Sequence, residues 1–421
     1  MRWVTVVGLT LVLALGLPYG ARSASPVVAT LWNGIGAPDG EVLSAFVKEF
    51  NAKYEGKYRI AETVMQWDTL YTKILTDFRA GNPPDVSTFH QPALRQYVTL
   101  GVLQDIDALV AKAGIKGGDY ATRAWQGTVI DGKRYAVPND MHPWALYYNR
   151  KMFKAAGLPD RGPKNMDEFL SFAKKLTVDT NGDGKVDQWG FGFNYNGAIP
   201  HRLLISLLAQ KGKSILTPDG KRATLNNADT REVLQFLYDL VYKDKVVAER
   251  QTDADVAFKQ GHIAMLLDGP WNLLDFKGTA GLDFMTAPIP TFYSKPAAWG
   301  SSHVYVMPKS KSPEKLEAAM AFVAFATSKG YDWTSKAGHM PVRAEILKSA
   351  QFKQLKEWQA FADSLPFMVY YPSIVPYSKV FSHDPTSPLV KMTESVLLGK
   401  ASIADAVKAA EQSFNQLLAS P

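Results

Sequence analysis

The fold class is decided by residues 27–50, VVATLWNGIGAPDGEVLSAFVKEF, and by residues 58–90, YRIAETVMQWDTLYTKILTDFRAGNPPDVSTFH. Both stretches begin with a strand-like segment and continue into a helix-like segment, in which apolar side chains recur every three or four positions. A further strand-like segment, residues 85–89, ends the second stretch. Strands that alternate with helices in this way predict an α/β fold with a mostly parallel sheet covered by helices on both faces.

The same alternation continues along the rest of the chain, in which we find no internal repeat. Further strands are predicted at residues 133–137, 145–148, 263–267 and 304–307, and the chain beyond Pro341 is predicted to be mainly helical. A length near 400 residues after processing indicates two or three domains.

The N-terminus has the layout of a secretory signal peptide. Arg2 supplies the positive charge, residues 4–17 are apolar or small, and Ala21-Arg22-Ser23 offers small residues to a signal peptidase. The apolar run is about 14 residues, shorter than the roughly 20 that a membrane-spanning helix needs, so a permanent anchor is the weaker interpretation. We therefore predict a signal peptide at residues 1–24 and a secreted, soluble, periplasmic protein.

The chain has no cysteine and a formal net charge of +7. The missing cysteines exclude disulfides, thiolate catalysis, Cys-based zinc sites and lipid attachment through an N-terminal cysteine, so no lipid anchor is expected. Basic residues alternate with acidic ones and form no concentrated stripe of the kind that nucleic-acid binding needs. We therefore expect no nucleic-acid partner.

Aromatic and hydrogen-bonding residues follow or flank several of the predicted strands. Ligands of parallel sheets bind beyond the carboxyl ends of the strands, where loops and helix N-termini meet. A sugar has apolar C–H faces and a hydroxyl rim, which suits flat aromatic rings edged by polar side chains. The candidate sugar-binding residues are Trp32, Trp67, His90, Asn139, Asp140, His142, Trp271, Trp299, Gly300 and Ser301.

These candidates also have structural interpretations. Trp67 is the first apolar residue in the stripe of its helix, and Trp32 is also suited to cover the surface of its lobe. For both residues, the sequence leaves the choice between core packing and ligand stacking undecided. His90 is also compatible with a hydrogen-bonded structural histidine, as is His142. Ligand contact is favoured for Trp271, which lies among loop residues, and for Asp140, because a carboxylate accepts two hydroxyls at once.

Several motifs, in their joint order and spacing, resemble the family 1 extracellular solute-binding proteins of ABC importers, the group around maltose-, multiple-sugar- and glycerol-3-phosphate-binding proteins. The likeness covers essentially the whole mature chain. The motifs are Gly81-Asn82-Pro83-Pro84-Asp85-Val86, Leu146-Tyr147-Tyr148-Asn149, Phe153-Lys154-Ala155-Ala156-Gly157-Leu158, Gly269-Pro270-Trp271 and Gly338-His339-Met340-Pro341-Val342-Arg343.

The resemblance implies a two-lobe periplasmic-binding-protein fold of type II, in which each lobe is a mostly parallel sheet flanked by helices. Its hinge has three crossings, expected near Pro138–His142, Pro288–Pro290 and Met340–Val342, and the lobes close on a ligand by rotation about them. Lobe 1 then comprises residues 26–140 plus 289–341. Lobe 2 comprises residues 141–288 plus 342–421.

The resemblance also adds His339, Arg343 and Tyr371 to the candidate site. Arg343 has a second and slightly favoured interpretation, in which it fixes the hinge through a carboxylate. The glycerol-phosphate-binding relatives place an Arg where this chain has Tyr371-Pro372-Ser373. A neutral sugar or oligosaccharide is therefore a better expectation than a phosphate ester.

The function implied is that of a monomeric, non-catalytic binding protein, which needs no cofactor and hands a sugar or oligosaccharide to the transmembrane permease of an ABC transporter. The sequence contains no GxSxG, HExxH or P-loop motif, and no GxGxxG in a strand–helix setting. Two alternatives stay open: a secreted carbohydrate-active enzyme, such as a glycosidase or lyase, and the ligand-binding module of a membrane sensor.

Residues 179–187, DTNGDGKVD, look like the first nine positions of an EF-hand loop. The required glycine stands at the sixth position, but Gly190 occupies the twelfth, where a bidentate Glu is needed. A structural calcium is therefore one interpretation, and an Asx-rich turn is the favoured one. The calcium ligands would be Asp179, Asn181, Asp183, Lys185 and Asp187.

Overall fold

The computed structural model describes residues 25–310 and 312–419. The predicted signal peptide, residues 1–24, lies outside these described residues. The strands are β1 Val27–Asn33, β2 Tyr58–Val64, β3 Val86–His90, β4 Val129–Ile130, β5 Lys133–Arg134, β6 Ala136–Pro138, β7 Asp140–Pro143, β8 Ala145–Asn149, β9 Met265–Asp268, β10 Phe284–Ala287, β11 Ala298–Ser301, β12 His303–Val306, β13 Met340–Pro341 and β14 Met368–Val369.

Helices surround these strands and make up most of the last eighty residues. They are α1 Asp39–Lys53, α2 Trp67–Arg79, α3 Leu94–Thr99, α4 Asp107–Lys112, α5 Thr122–Gln126, α6 Arg150–Ala155, α7 Met166–Leu176, α8 Ile199–Gln210, α9 Ala228–Tyr242, α10 Ala254–Lys259, α11 Leu273–Gly278, α12 Pro313–Ser328, α13 Gly330–Ala337, α14 Ala344–Lys348, α15 Ala350–Lys353, α16 Gln359–Ser364, α17 Tyr377–Val380, α18 Pro388–Leu397 and α19 Ile403–Ala419. Short 3₁₀ helices lie at Gln91–Ala93, Gly117–Asp119, Pro270–Asn272, Lys356–Trp358 and Leu365–Phe367.

The first lobe is built on a sheet in the order β2-β1-β3-β12-β6. Strand β1 pairs in parallel with β2 and β3, which confirms the strand–helix alternation read from residues 27–90. Strand β12 pairs antiparallel with β3 and β6, so the sheet is mixed rather than mostly parallel. The reason is that β1 and β3 end at the cleft between the lobes, whereas β12 enters the sheet from that cleft at His303.

The second lobe departs further from the expected parallel sheet. Its strands β10-β8-β9 are antiparallel throughout, and parallel pairing is limited to single bridges such as Gly192 with Leu266. Strand β8 begins at the hinge, while β9 returns toward it and ends at Asp268. Chain direction in this lobe is therefore set by the hinge crossings, which a strand–helix pattern does not reveal. The α/β class and the two-lobe architecture are as predicted.

A four-stranded sheet, β13-β7-β11-β14, lies between the two lobes, and we call it the hinge sheet. Strands β7 and β13 coincide with two of the expected crossings. The remaining crossing, at which the chain returns to the first lobe, lies at Ser301–His303, between β11 and β12, and not at Pro288–Pro290. The proline-rich segment belongs to the second lobe because the Gln210 side chain of α8 hydrogen-bonds backbone groups of Pro290, Phe292 and Ala297. The other lobe boundaries stay predictions.

The EF-hand-like loop lies on the surface of the second lobe, between α7 and the bridge at Gln188. Its carboxylates accept hydrogen bonds from the loop's own backbone: Asp179 accepts from Gly182 and Gly184, and Asp187 accepts from Thr180. These contacts are those of an Asx-rich turn. Calcium binding stays a prediction for this loop.

Candidate functional site

A cavity of about 790 Å³ lies between the lobes, within the usual volume range of small-molecule sites. Its first-lobe wall is formed where β1, β2 and β3 end. This agrees with the rule that ligands bind beyond the carboxyl ends of the strands, which we call the strand-end rule. The second-lobe wall includes the segment after β9 and the first turn of α8.

Eight of the thirteen predicted ligand-binding residues line this cavity. Their contact with a sugar stays a prediction, but the chain brings them together from both lobes and from the hinge sheet. They are Trp67, His90, His142, Trp271, Trp299, Ser301, His339 and Tyr371.

Trp32 and Arg343 do not line the cavity. Trp32 is 9% exposed, and the Lys73 ammonium lies 4.7 Å from its ring centroid, so it packs beneath α2. Arg343 lies 3.4 Å from the Asp119 carboxylate and stacks over Tyr120, near the third crossing. The geometry of Arg343 matches its second interpretation, in which it fixes the hinge.

Three further candidates lie behind the cavity wall. Asn139 is buried, and its backbone N–H donates to His303. Gly300 sits inside the hinge sheet, where an added Cβ would come within 2.4 Å of Met368, so its small size serves strand packing. Asp140 is fully buried, and its carboxylate is hydrogen-bonded to other side chains of the described protein, not exposed to the cavity.

Two glycines determine where the cavity tryptophans lie. An added Cβ on Gly34 would be 2.3 Å from the Trp67 ring, and one on Gly269 would be 2.0 Å from the Trp271 ring. Each indole therefore packs closely against a glycine, where any side chain would collide with the ring. Trp67, from the first lobe, also stacks on His303 with an interplanar angle of 9°. Trp271 lies across the cavity on the second lobe.

Asp140 holds a cluster of histidines together at the hinge. Its two carboxylate oxygens accept from His142 Nδ1 at 3.2 Å, from His303 Nδ1 at 2.8 Å, from the His303 backbone N–H at 2.9 Å and from Trp333 Nε1 at 3.0 Å. Sequence reasoning missed His303, although it directly precedes the predicted strand at Val304. These donors fix the imidazole rings that form the cavity floor.

The histidines differ in charge because their surroundings differ. Burial and the neighbouring His303 lower the pKa of His90 well below its usual range and that of His142 to about 3, so both rings are neutral at pH 7. Burial alone would lower the pKa of His339, but the Asp140 and Asp39 carboxylates raise it above its usual range. The floor thus presents two neutral imidazoles beside one that readily takes a proton.

Arg202 is the main cavity residue that sequence reasoning missed. It lies in the first turn of α8, and its guanidinium stacks 4.2 Å from the Trp299 ring centroid while its Nε donates to the Tyr371 hydroxyl. No carboxylate of the described residues lies within ion-pair distance of it. Its Nη2 also lies 3.3 Å from His383 Nε2, and the N–H groups that these two partners leave over are available to a ligand that enters the cavity.

Asp255 and Asp268 form a carboxyl pair on the second-lobe wall. Asp268 accepts hydrogen bonds from the Gly269 backbone N–H and from the Asn272 side chain. Burial, followed by the charge of Asp255, raises the pKa of Asp268 well above its usual range; burial also raises that of Asp255. The folded protein therefore keeps a proton on this pair to a higher pH than the unfolded chain does.

We expect this carboxyl pair to make folding stability fall as pH rises above about 4. The sign follows because the folded protein keeps a proton that the unfolded chain has already released, so stability is lost as pH rises toward the folded pKa of Asp268. Asp255→Asn removes the like charge and should flatten this fall. Urea unfolding from pH 4 to pH 8 measures it, with exposed Asp363→Asn as control; parallel profiles for the wild type and Asp255→Asn would contradict the pairing.

Comparison with known proteins agrees with this geometry. The family model described as "Bacterial extracellular solute-binding protein" matches residues 36–333, which is more than half of the chain. This chain is a bacterial extracellular solute-binding protein. The match takes in both lobes, all the strands from β2 to β12 and most of the cavity wall.

Three relatives of this solute-binding protein are informative. A diacetylchitobiose-binding protein of Streptomyces coelicolor is 25% identical, over 96% of this chain and 93% of the relative. A maltooligosaccharide ABC transporter solute-binding lipoprotein of Streptococcus pneumoniae is 25% identical, over 74% of this chain and 73% of the relative. An ABC substrate-binding protein of Listeria monocytogenes, solved with cycloalternan, shares the fold with a TM-score of 0.81 at 22% identity, covering 94% of this chain and 100% of that one.

The length and composition of the helices show whether any of them can span a membrane. Within residues 25–310 and 312–419, every helix is too short or too polar to cross a bilayer.

Proposed function

We propose that this solute-binding protein captures a sugar or oligosaccharide in the interlobe cavity and delivers it to the permease of an ABC transporter. The observation that carries the proposal is the pairing of Trp67 on one lobe with Trp271 on the other, beside Trp299 of the hinge sheet, around a cavity edged by hydrogen-bonding groups. Rotation about the hinge sheet brings such walls onto both faces of a sugar ring.

Buried polar groups in the cavity wall support a hydroxyl-rich ligand. The Trp299 Nε1 donor and the Ser301 hydroxyl are buried and have no hydrogen-bond partner in the described protein. Buried polar groups in folded proteins nearly always find a partner, so a ligand that offers hydroxyls would satisfy them. The relatives named for diacetylchitobiose and maltooligosaccharide support the same ligand class.

We further propose that the protein binds its ligand without changing it. The sequence contains no GxSxG, HExxH or P-loop motif. Asp255 and Asp268 line the second-lobe wall, and the raised pKa of both suits them to hydrogen-bond the hydroxyls of a bound ligand. A periplasmic, soluble location fits the absence of cysteine from the sequence, since the lipid of a lipoprotein is carried by cysteine.

A sugar panel tests the proposal directly. The mature protein is titrated with mono-, di- and oligosaccharides by calorimetry, and the mixtures are then separated by chromatography. We expect saturable one-site binding to at least one sugar, a smaller radius of gyration on binding and unaltered sugar after long incubation. A lack of binding across the panel would exclude the sugar, and a hydrolysis or elimination product would favour the enzyme alternative. Stimulation of ATP hydrolysis in the reconstituted transporter tests delivery.

A further inference from the structure

We propose that Asp140, His142, His303 and His339 form a binding site for a divalent transition-metal ion of the Zn²⁺ class at the centre of the hinge. Each of these residues offers one ligand atom, and the four atoms lie within 4.8 Å of one another. All four residues are buried. Three imidazoles and one carboxylate are a donor set that suits Zn²⁺ and its neighbours, whereas Ca²⁺ and Mg²⁺ prefer oxygen ligands alone.

The spacing between the carboxylate and each of the three imidazoles is close to that between two ligands of one ion. Ligands at about 2.0–2.1 Å from a tetrahedral Zn²⁺ lie roughly 3.3 Å from one another. The Asp140 carboxylate oxygens lie 2.8 Å from His303 Nδ1, 3.2 Å from His142 Nδ1 and 3.6 Å from His339 Nδ1, distances that bracket this value. The ion would replace the protons that now link His142 and His303 to the carboxylate, so its binding would release protons.

His339 supplies the observation that hydrogen bonding alone does not explain. Its Nε2 is 2.7 Å from Asp39 Oδ2, whereas its Nδ1 is buried and has no hydrogen-bond partner. The Asp140 carboxylate lies 3.6 Å from this Nδ1, so the place between the two groups suits a cation, either a proton on the imidazole or a metal ion. The contact with Asp39 is also the carboxylate–histidine arrangement that orients metal ligands, and Trp333 supports Asp140 in the same way.

The position of the ligands gives the ion a mechanical role. Asp140 and His142 lie on β7 in the first crossing, His303 begins β12 after the return from the second lobe, and His339 directly precedes β13. One ion would therefore tie all three crossings together. We expect it to stiffen the hinge and to raise the thermal unfolding midpoint, because an ion that binds the folded chain alone stabilises it by mass action.

The test uses the mature full chain, stripped with EDTA, desalted and titrated with Zn²⁺ in sugar-free buffer. We expect one equivalent to bind, with a rise in the unfolding midpoint, and Co²⁺ to give the visible absorption of four-coordinate cobalt. The His303→Gln/His339→Gln double variant should bind Zn²⁺ at least about 100-fold more weakly. The matched control is His262→Gln, an exposed histidine outside the cluster, which should bind as the wild type does.

X-ray absorption of the Zn²⁺-loaded wild type keeps the test decisive even if the double variant misfolds. Scattering from three imidazoles would support the site, whereas a spectrum of oxygen ligands alone would overturn it. The proposal also fails if the wild type binds no stoichiometric Zn²⁺, or if a folded double variant binds it as tightly as the wild type. Sugar binding is measured separately, so either proposal can fail without the other.

Discussion

Asp140→Ala is expected to lower the free energy of unfolding by about 3–5 kcal/mol, the usual loss when one partner of a buried charged network is removed. The carboxylate is fully buried and accepts hydrogen bonds from His142, His303 and Trp333. Alanine leaves each of these donors in a dry interior without an acceptor, and every unsatisfied group adds its own desolvation penalty. It also removes the charge that favours protonation of His339.

Urea unfolding at pH 7 in a chelator measures this loss without any contribution from bound metal. Asp332→Ala is the control, because Asp332 makes an exposed ion pair with Lys336 one helical turn away, and its loss should change stability by about 0.5 kcal/mol or less. A fall of under about 1 kcal/mol in Asp140→Ala would mean that the network stabilises the hinge far less than its burial indicates. The prediction would then be wrong.

The surroundings of Asp140 show how much of this site can be predicted from the sequence alone. The position of this carboxylate just after a predicted strand favours contact with sugar hydroxyls, yet the side chain is buried against protein groups. Its partners His303 and Trp333 are 163 and 193 residues away along the chain. Only the folded crossings bring such donors to one point, and no local pattern records that convergence.

The strand-end rule succeeded where a strand runs toward the cleft. Trp67 and Trp271 follow β2 and β9, His90 is the last residue of β3, and all three line the cavity. The rule says nothing about residues that begin a strand, so it passed over His303, which enters from the cleft on an antiparallel strand. It also passed over Arg202, because the apolar stripe of α8 gives no sign that the first turn of this helix faces a cavity.

Trp271→Ala is expected to weaken sugar binding by about 1–3 kcal/mol, or roughly 5- to 150-fold, through the loss of one stacking face. The indole is partly exposed in the cavity wall, opposite Trp67 and edge-on to His142. It belongs to the rim of the core rather than to its centre, so the fold should persist. Calorimetric titration with the sugar identified in the panel measures the effect. Trp125→Ala, which removes a partly buried indole away from the cavity, is the matched control.

A glycine variant distinguishes the effect of moving the Trp271 indole on sugar affinity from the effect of removing it. Gly269→Ala keeps Trp271 but places a Cβ 2.0 Å from its ring, so the ring must move and affinity should fall in the same direction as in Trp271→Ala. Gly278→Ala is the control, because a Cβ there meets no atom within 4 Å. If Gly269→Ala binds sugar as the wild type does while Trp271→Ala binds it more weakly, the indole contributes to binding, but its contribution does not depend on the position that Gly269 allows. If both bind normally, Trp271 is not a sugar-stacking residue.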